Sequence, residues 1–179
     1  MVTPSPNELQ SFIRNVPDFP KKGIMFRDIT TLLKHKDAFR SAIDAFYDHY
    51  HSKNIDKVVS VESRGFIFGS VLAYKFGAGF VPVRKPKKLP AEKIREEYQL
   101  EYGTDALEIH TDAISIGEKV LVIDDLLATG GTISATARLV EKLGGKLVGM
   151  AFLIELSFLH GREKLKGYDI FSIINYSSE

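Results

Sequence analysis

Residues Val120 to Thr132 read VLVIDDLLATGGT, which sets two adjacent carboxylates behind four apolar residues and follows them with small and hydroxylated residues. Ala128, Thr129, Gly130, Gly131 and Thr132 carry little side chain, so their backbone amides can approach an anion closely. The two hydroxyls add donors, and a helix predicted to follow from Thr132 to Leu143 supplies its positive end. This is the chemistry of a phosphate site. The run has no P-loop lysine and does not spell GxGxxG, so it supports neither a Walker-type ATPase nor a dinucleotide site. A tight turn for the glycines, with Asp125 or Thr129 capping the helix, is the plain structural alternative.

Two further groups of residues have the polarity a phosphorylated substrate needs. Glu62-Ser63-Arg64-Gly65 follows the apolar run KVVSV, with Arg64 offering directed donors and Ser63 a hydroxyl. Arg84, Lys85 and Lys88 form a local positive patch after Val83. Each is weak by itself, since a surface turn and a solvated basic loop would look the same. The chain has no cysteine, which excludes disulfides, thiolate catalysis and cysteine-bound metal. Its five histidines form no HExxH pattern, and His49 and His51 lie on different faces of a predicted helix, so no protein-built metal site is expected.

Taken together, VIDDLLATGGT and ESRG resemble the phosphoribosyl pyrophosphate (PRPP) motif and pyrophosphate loop of type I phosphoribosyltransferases. The resemblance implies that Ala128 to Thr132 hold the ribose 5-phosphate and that Asp124 and Asp125 lie beside the ribose hydroxyls. It also implies that Ser63, Arg64, Arg84, Lys85 and Lys88 contact pyrophosphate, some of the basic residues reaching across a homodimer interface into the neighbouring site. A cis peptide bond is expected near Glu62–Ser63. Loss of pyrophosphate leaves positive character on C1 and the ring oxygen, so fixed carboxylates there stabilise an oxocarbenium-like transition state more than the ground state. Mg2+ is implied by the substrate and would be bound mainly through PRPP and water.

The acceptor must be read elsewhere. Phe19-Pro20 and the run Gly23 to Ile29, containing FRDI, resemble the N-terminal hood of adenine phosphoribosyltransferases. Phe26 can stack on a purine, and backbone groups of Ile24 and Arg27 could tell the amino edge of adenine from a carbonyl edge. The Arg27 side chain either orients the hood through an ion pair or contacts phosphate, and Leu126 either packs beneath the base or is buried without touching it. Tyr98 to Gly103, YQLEYG, resembles the element that closes the family's pocket. The resemblance makes Glu101 the residue that manages the adenine proton and Tyr102 the one that positions the reactants, with Arg64 completing the catalytic set. The reaction so implied joins adenine to PRPP, giving AMP and pyrophosphate. A 6-oxopurine transferase, or a non-catalytic nucleotide-binding regulator of the same fold, is the alternative.

The elements that must position these residues follow from periodicity. Phe39, Ile43, Phe46 and Tyr50 recur at helical spacing over 36–51, and a second helix is expected over 66–76. Strands are expected at 57–61, 80–83, 120–123, 147–154 and 170–174, with short ones at 98–102 and 108–111. Residues 84–99, rich in proline and charge, read as a solvated, mobile loop. Residues 1–33 read as a short helix around 8–14 and an irregular arm, and Glu155 to Leu165 as a C-terminal segment with a structural or interface role. Alternating strands and helices imply an α/β fold with a mostly parallel central sheet flanked by helices, a small N-terminal hood over 1–33 and a core over 34–179 that carries a flexible active-site loop at about 84–103. The chain's 179 residues, 44% of them hydrophobic, suit one domain. The 24 basic and 23 acidic residues, net charge +1, give no general attraction to nucleic acid. No run of roughly 18 apolar residues crosses a membrane, and Met1 to Gln10 lacks a secretory pattern, so a cytoplasmic protein is expected.

Overall fold

The computed structural model describes residues 4–99 and 103–178. Nine strands can be followed: β1 (Arg14–Val16), β2 (Phe26–Asp28), β3 (Lys57–Val61), β4 (Gly79–Val83), β5 (Lys93–Gln99), β6 (Thr104–His110), β7 (Lys119–Leu127), β8 (Lys146–Leu156) and β9 (Ile170–Tyr176). The α-helices are α1 (Thr30–Leu33), α2 (Lys36–Tyr50), α3 (Gly65–Phe76) and α4 (Gly131–Lys142), and short 3-10 helices occupy Pro6–Phe12, Ser157–Leu159 and Gly161–Leu165, among other places. The central sheet has the order β4-β3-β7-β8-β9, and all of its pairings are parallel. Every strand of it therefore delivers its following loop to the same edge.

Alternation within the strands explains the layers. Val58, Leu121, Ile123, Ala151 and Leu153 face one cluster together with Phe46, Phe68 and Leu72 from α2 and α3. Val59, Val61, Val120, Val122, Met150 and Phe152 face the opposite cluster with Ile133, Leu139 and Val140 of α4. A sheet apolar on both faces must be covered on both, which is why its strands read as unbroken hydrophobic runs. Each fully buried side chain such as Phe46 or Leu121 contributes about 1.5–3 kcal/mol through removal from water.

From β3 the chain passes through α3 to β4 on one side, whereas β7 pairs with β3 on the other side. The loops after β3 and β7 thus diverge from adjacent strands, the place where an open α/β sheet forms a crevice. The acid pair does not follow the strand but belongs to it: pairing continues through Asp124↔Phe152, Leu126↔Ile154 and Leu127↔Glu155.

Two stretches depart from the sequence expectation. The N-terminal arm is more regular than its prolines suggested: β1 and β2 form an antiparallel pair, Arg14 lies in β1 rather than in a helix, and Leu9, Ile13, Ile29 and Leu32 enter the core. Residues 84–92 are irregular, but 93–99 form β5, paired along its whole length with β6 from Lys93↔His110 to Gln99↔Thr104. The inward positions of β5 are Ile94, Glu96 and Tyr98. A charged residue in that row hid the alternation, and it is accommodated because Glu96 meets Arg138 at 2.8 Å and also Lys142, both on α4. No helix among the described residues is long and apolar enough to cross a membrane.

Candidate active site

At the carboxyl edge of the sheet the acid pair and the ESRG turn come together. Asp124 presses on Gly65, where a Cβ would stand 2.7 Å from the Asp124 Oδ1, so only glycine lets α3 begin so near this carboxylate. The backbone N–H of Asp125 donates to Asp124 Oδ1 at 2.9 Å, and Arg64 Nε meets Asp125 Oδ2 at 2.8 Å. Burial pushes the Asp124 carboxyl well above the usual carboxylate range, and the charge of Asp125 adds to the shift. Asp125 is also raised by burial, with Arg64 opposing the rise. The Glu62–Ser63 peptide bond is cis, as is Phe19–Pro20.

The loop after β7 is short. Asp124, Leu126, Leu127 and Ala128 through Ile133 line a small hollow of about 80 Å³ at the start of α4. The N-cap of that helix is Gly130, at φ 76°, and no side chain caps it. Asp125 is engaged with Arg64 and no side-chain cap is formed on α4 among the described residues, so of the plain structural alternative the glycine turn is seen and the capping is not. Among the described residues this helix N-terminus carries no side-chain cap.

The basic patch is tied to acids. Glu62 accepts from Arg84 Nε and Lys88 Nζ, each at 2.8 Å, and from the Lys85 backbone N–H at 3.1 Å. Burial works against the Glu62 charge, but these donors outweigh it and hold its pKa below the ordinary value. Lys85 Nζ lies 3.0 Å from Asp105, whose hydrogen bond raises the lysine pKa. All three cations consequently stand at the end of β4 beside the ESRG turn.

Phe26 joins the hood to this centre, since the Arg64 guanidinium lies 5.4 Å from its ring centroid and Phe19 meets it edge-on at 5.1 Å. Arg27 Nη1 donates to Asn15 Oδ1 at 2.6 Å and its guanidinium sits 4.0 Å over Tyr176, so within the protein it is held by a hydrogen bond across the hood and by an aromatic ring. The Ile24 carbonyl accepts from the Phe19 N–H at 3.2 Å, which fixes the turn and leaves that oxygen one lone pair. Lys21, Ile24, Met25 and Arg27 of the hood line, with Leu156, Phe158 and Leu159, a cavity of about 270 Å³. Phe158 and Leu159 were not anticipated as site residues. Their position in the segment from Glu155 to Leu165, at the exit of a core strand, is the signal that could have marked them. A larger groove of about 770 Å³ beside Gln10, Phe12, Asn15 and Tyr176 contains none of the expected site residues. Glu101 and Tyr102 lie outside the described residues, although Tyr98 and Gln99 bring the chain to Gly131, with the Gln99 carbonyl 3.2 Å from where a Gly131 Cβ would be.

Comparison with known proteins is consistent with this geometry. Residues 28–178 match the family model of the phosphoribosyl transferase domain. An adenine phosphoribosyltransferase of Solibacter usitatus is 60% identical over 94% of this chain and 98% of its own length. The crystal structure of adenine phosphoribosyltransferase from Thermoanaerobacter pseudethanolicus superposes with a TM-score of 0.93 at 55% identity, covering 96% of this chain and 100% of that one. The enzyme from Saccharomyces cerevisiae, solved with an imino-altritol bisphosphate and adenine, gives 0.90 at 42% identity, over 94% and 97% of the two chains. With the acid pair, the uncapped helix start and the aromatic hood set along one sheet edge, the chain belongs to the adenine phosphoribosyltransferases of the type I phosphoribosyltransferase family.

Proposed function

We propose that the chain transfers the 5-phosphoribosyl group of PRPP to N9 of adenine, releasing pyrophosphate and forming AMP, and that it does so from the crevice between the ends of β3 and β7. The observation that carries this reading is the junction of Asp124 with Gly65 and of Asp125 with Arg64, which sets ribose-binding acids and a pyrophosphate-binding turn side by side. The 5-phosphate lies on the amides of 128–132, pyrophosphate on Ser63, Arg64 and the cations after β4, and adenine under Phe26 with Leu126 beneath it.

The acids suit a cationic transition state. Asp125 already has Arg64 as partner, whereas the buried Asp124 has its charge opposed by its surroundings. Positive charge appearing on the sugar favours the ionised form of Asp124, so the attraction is larger in the transition state than before it. Glu101 manages the adenine proton and Tyr102 orients the reactants. Mg2+, when bound, would neutralise charge on the leaving pyrophosphate; Asp124 and Asp125 are the carboxylates that could reach it, one of them shared with Arg64, so substrate oxygens and water would supply the other ligands.

The active form is a homodimer. Ile67 and Tyr74 of α3 and Phe80 near the start of the edge strand β4 are exposed apolar residues, 37%, 89% and 37% accessible, along the sheet edge whose strand β4 leads at its other end into the basic patch. A second copy seated there brings Arg84, Lys85 and Lys88 within reach of a neighbouring site. The hood, residues 1–33, and the core, 34–179, act as one domain. A cysteine-free chain suits the reducing cytoplasm, where we place the reaction.

The deciding experiment incubates the purified chain with Mg2+, PRPP and one purine at a time. AMP and pyrophosphate from adenine alone is the expected result. Turnover of hypoxanthine, guanine or xanthine in preference to adenine would reassign the acceptor, and no product from any purine would reduce the chain to a binding protein.

A further inference from the structure

The phosphate loop has an unusual lack of internal support. Its residues are Ala, Thr, Gly, Gly and Thr, and Gly130 opens α4 without a side-chain cap. Amides can grip a phosphate only if they converge before it arrives, so something outside the loop must set their directions.

That support comes from the C-terminal segment. Gly161, buried at the start of the 3-10 helix Gly161–Leu165, lies with its backbone directly against the loop. A Cβ on Gly161 would overlap the Ala128 carbonyl oxygen and stand 3.1 Å from the Gly130 nitrogen. In the reverse direction, a Cβ on Gly130 would stand 2.5 Å from the Gly161 carbonyl oxygen. The two backbones therefore touch with no side chain between them.

Gly161 is itself held by its neighbour. Arg162 clamps Glu155 with two bonds, Nε to Oε1 at 2.6 Å and Nη2 to Oε2 at 2.7 Å, and its other donors reach the Ile170 carbonyl at 3.3 Å and Ser172 Oγ at 3.5 Å. The Glu155 side chain is 5% exposed and stands opposite Leu127, the residue from which the loop departs. At the far end of the short helix, Leu165 is buried in the cluster that holds Leu127 and Ile133. A two-bond ion pair and a core leucine thus fix the segment at both ends, with the glycine contact beside the ion pair.

We propose that Gly161, anchored by the Glu155–Arg162 pair, is the positioning residue of the 5-phosphate site, setting the loop 128–132 in its anion-binding shape without touching the substrate. The inference rests on the reading of that loop as the ribose 5-phosphate site.

The test uses the full chain, steady-state kinetics and calorimetric binding of ribose 5-phosphate. Gly161→Ala is expected to raise KM for PRPP and Kd for ribose 5-phosphate by roughly 10- to 100-fold, as displacement of a positioned group does, while KM for adenine stays close to that of the unaltered chain. Glu155→Gln keeps the side-chain shape and weakens the clamp, so it should produce a smaller shift in the same two constants. Arg162→Lys should retain more ribose 5-phosphate affinity than Arg162→Gln. If Gly161→Ala does not fold, Glu155→Gln and the Arg162 pair decide. Unchanged ribose 5-phosphate binding in these variants, or losses shared equally by adenine and PRPP, overturns the proposal. An unaltered chain that binds no ribose 5-phosphate overturns the phosphate reading of the loop, and this inference with it.

Discussion

Asp124 joins the chemistry of the site to the stability of the protein. Its folded pKa is raised, so the folded chain keeps a proton that the unfolded chain releases near pH 4. Its contribution to stability is therefore greatest below that pH and declines as pH rises from the unfolded value through the raised folded one. At neutral pH the carboxylate is a liability, and Asp124→Asn is expected to raise Tm in calorimetry while lowering turnover about 100-fold, in the range found for removal of one electrostatic contact to a transition state. A lowered Tm would show that the buried charge is compensated. Glu101→Gln should cut turnover by about 100-fold with only a modest change in PRPP binding, the mark of lost proton handling. Full activity of that variant across the pH range would remove Glu101 from the mechanism. Asp124 and Asp125 were legible as an acid pair at a strand end from residue type and spacing, whereas the role of Glu101 rests on the family resemblance alone. Phe158 and Leu159 were not legible, since nothing in their own identity says that they line a cavity with Ile24.

At the scale of elements, the hood depends on Asp28. Its carboxylate accepts from the Thr30 N–H at 2.9 Å and from Arg14 Nε at 2.9 Å, holding the start of α1 and tying β1 to β2. The Thr30 amide is the leading cause of its lowered pKa. Asp28→Ala should cost about 1–3 kcal/mol for the lost hydrogen bonds, and in kinetics it should raise KM for adenine while leaving KM for PRPP nearly unchanged. A shift in both would mean that the damage spreads to the core. A parallel argument applies to the β5–β6 hairpin, latched on α4 by Glu96 with Arg138 and Lys142. Glu96→Ala should speed hydrogen exchange across 93–99, measured by mass spectrometry, without affecting the central sheet. Equal protection in the variant would place the latch elsewhere. The central strands were readable because burial on both faces leaves a continuous apolar run. The hairpin was readable only in part, through short strands expected at 98–102 and 108–111, because the ion pairs that bury Glu96 come from a helix some 40 positions later in the chain.

Over the whole molecule, the proposed homodimer is tested at α3: Tyr74→Glu should yield a monomer in sedimentation where the unaltered chain sediments as a dimer, and reduce activity with it, whereas a monomeric unaltered chain would remove the second copy from the proposal. If Arg84 acts across the interface, mixing the inactive Arg84→Ala and Asp124→Asn chains should restore part of the activity, because one site in a mixed dimer receives every intact group. No recovery, with mixed dimers demonstrated, would confine each site to a single chain.

Sequence alone determined the chemistry that local order can encode: two acids, a small-residue loop, a helix start and the apolar strands that carry them. It also determined the family, through motifs spread over most of the chain. Tertiary structure decided which distant residues meet, namely Arg64 with Asp125, Phe26 with Arg64, Glu96 with α4, and Gly161 with the phosphate loop. The physical reason is that periodicity and propensity act over a few residues, whereas parallel strand pairing gathers loops from the whole chain at one edge, where backbone contact, burial and charge fix their partners.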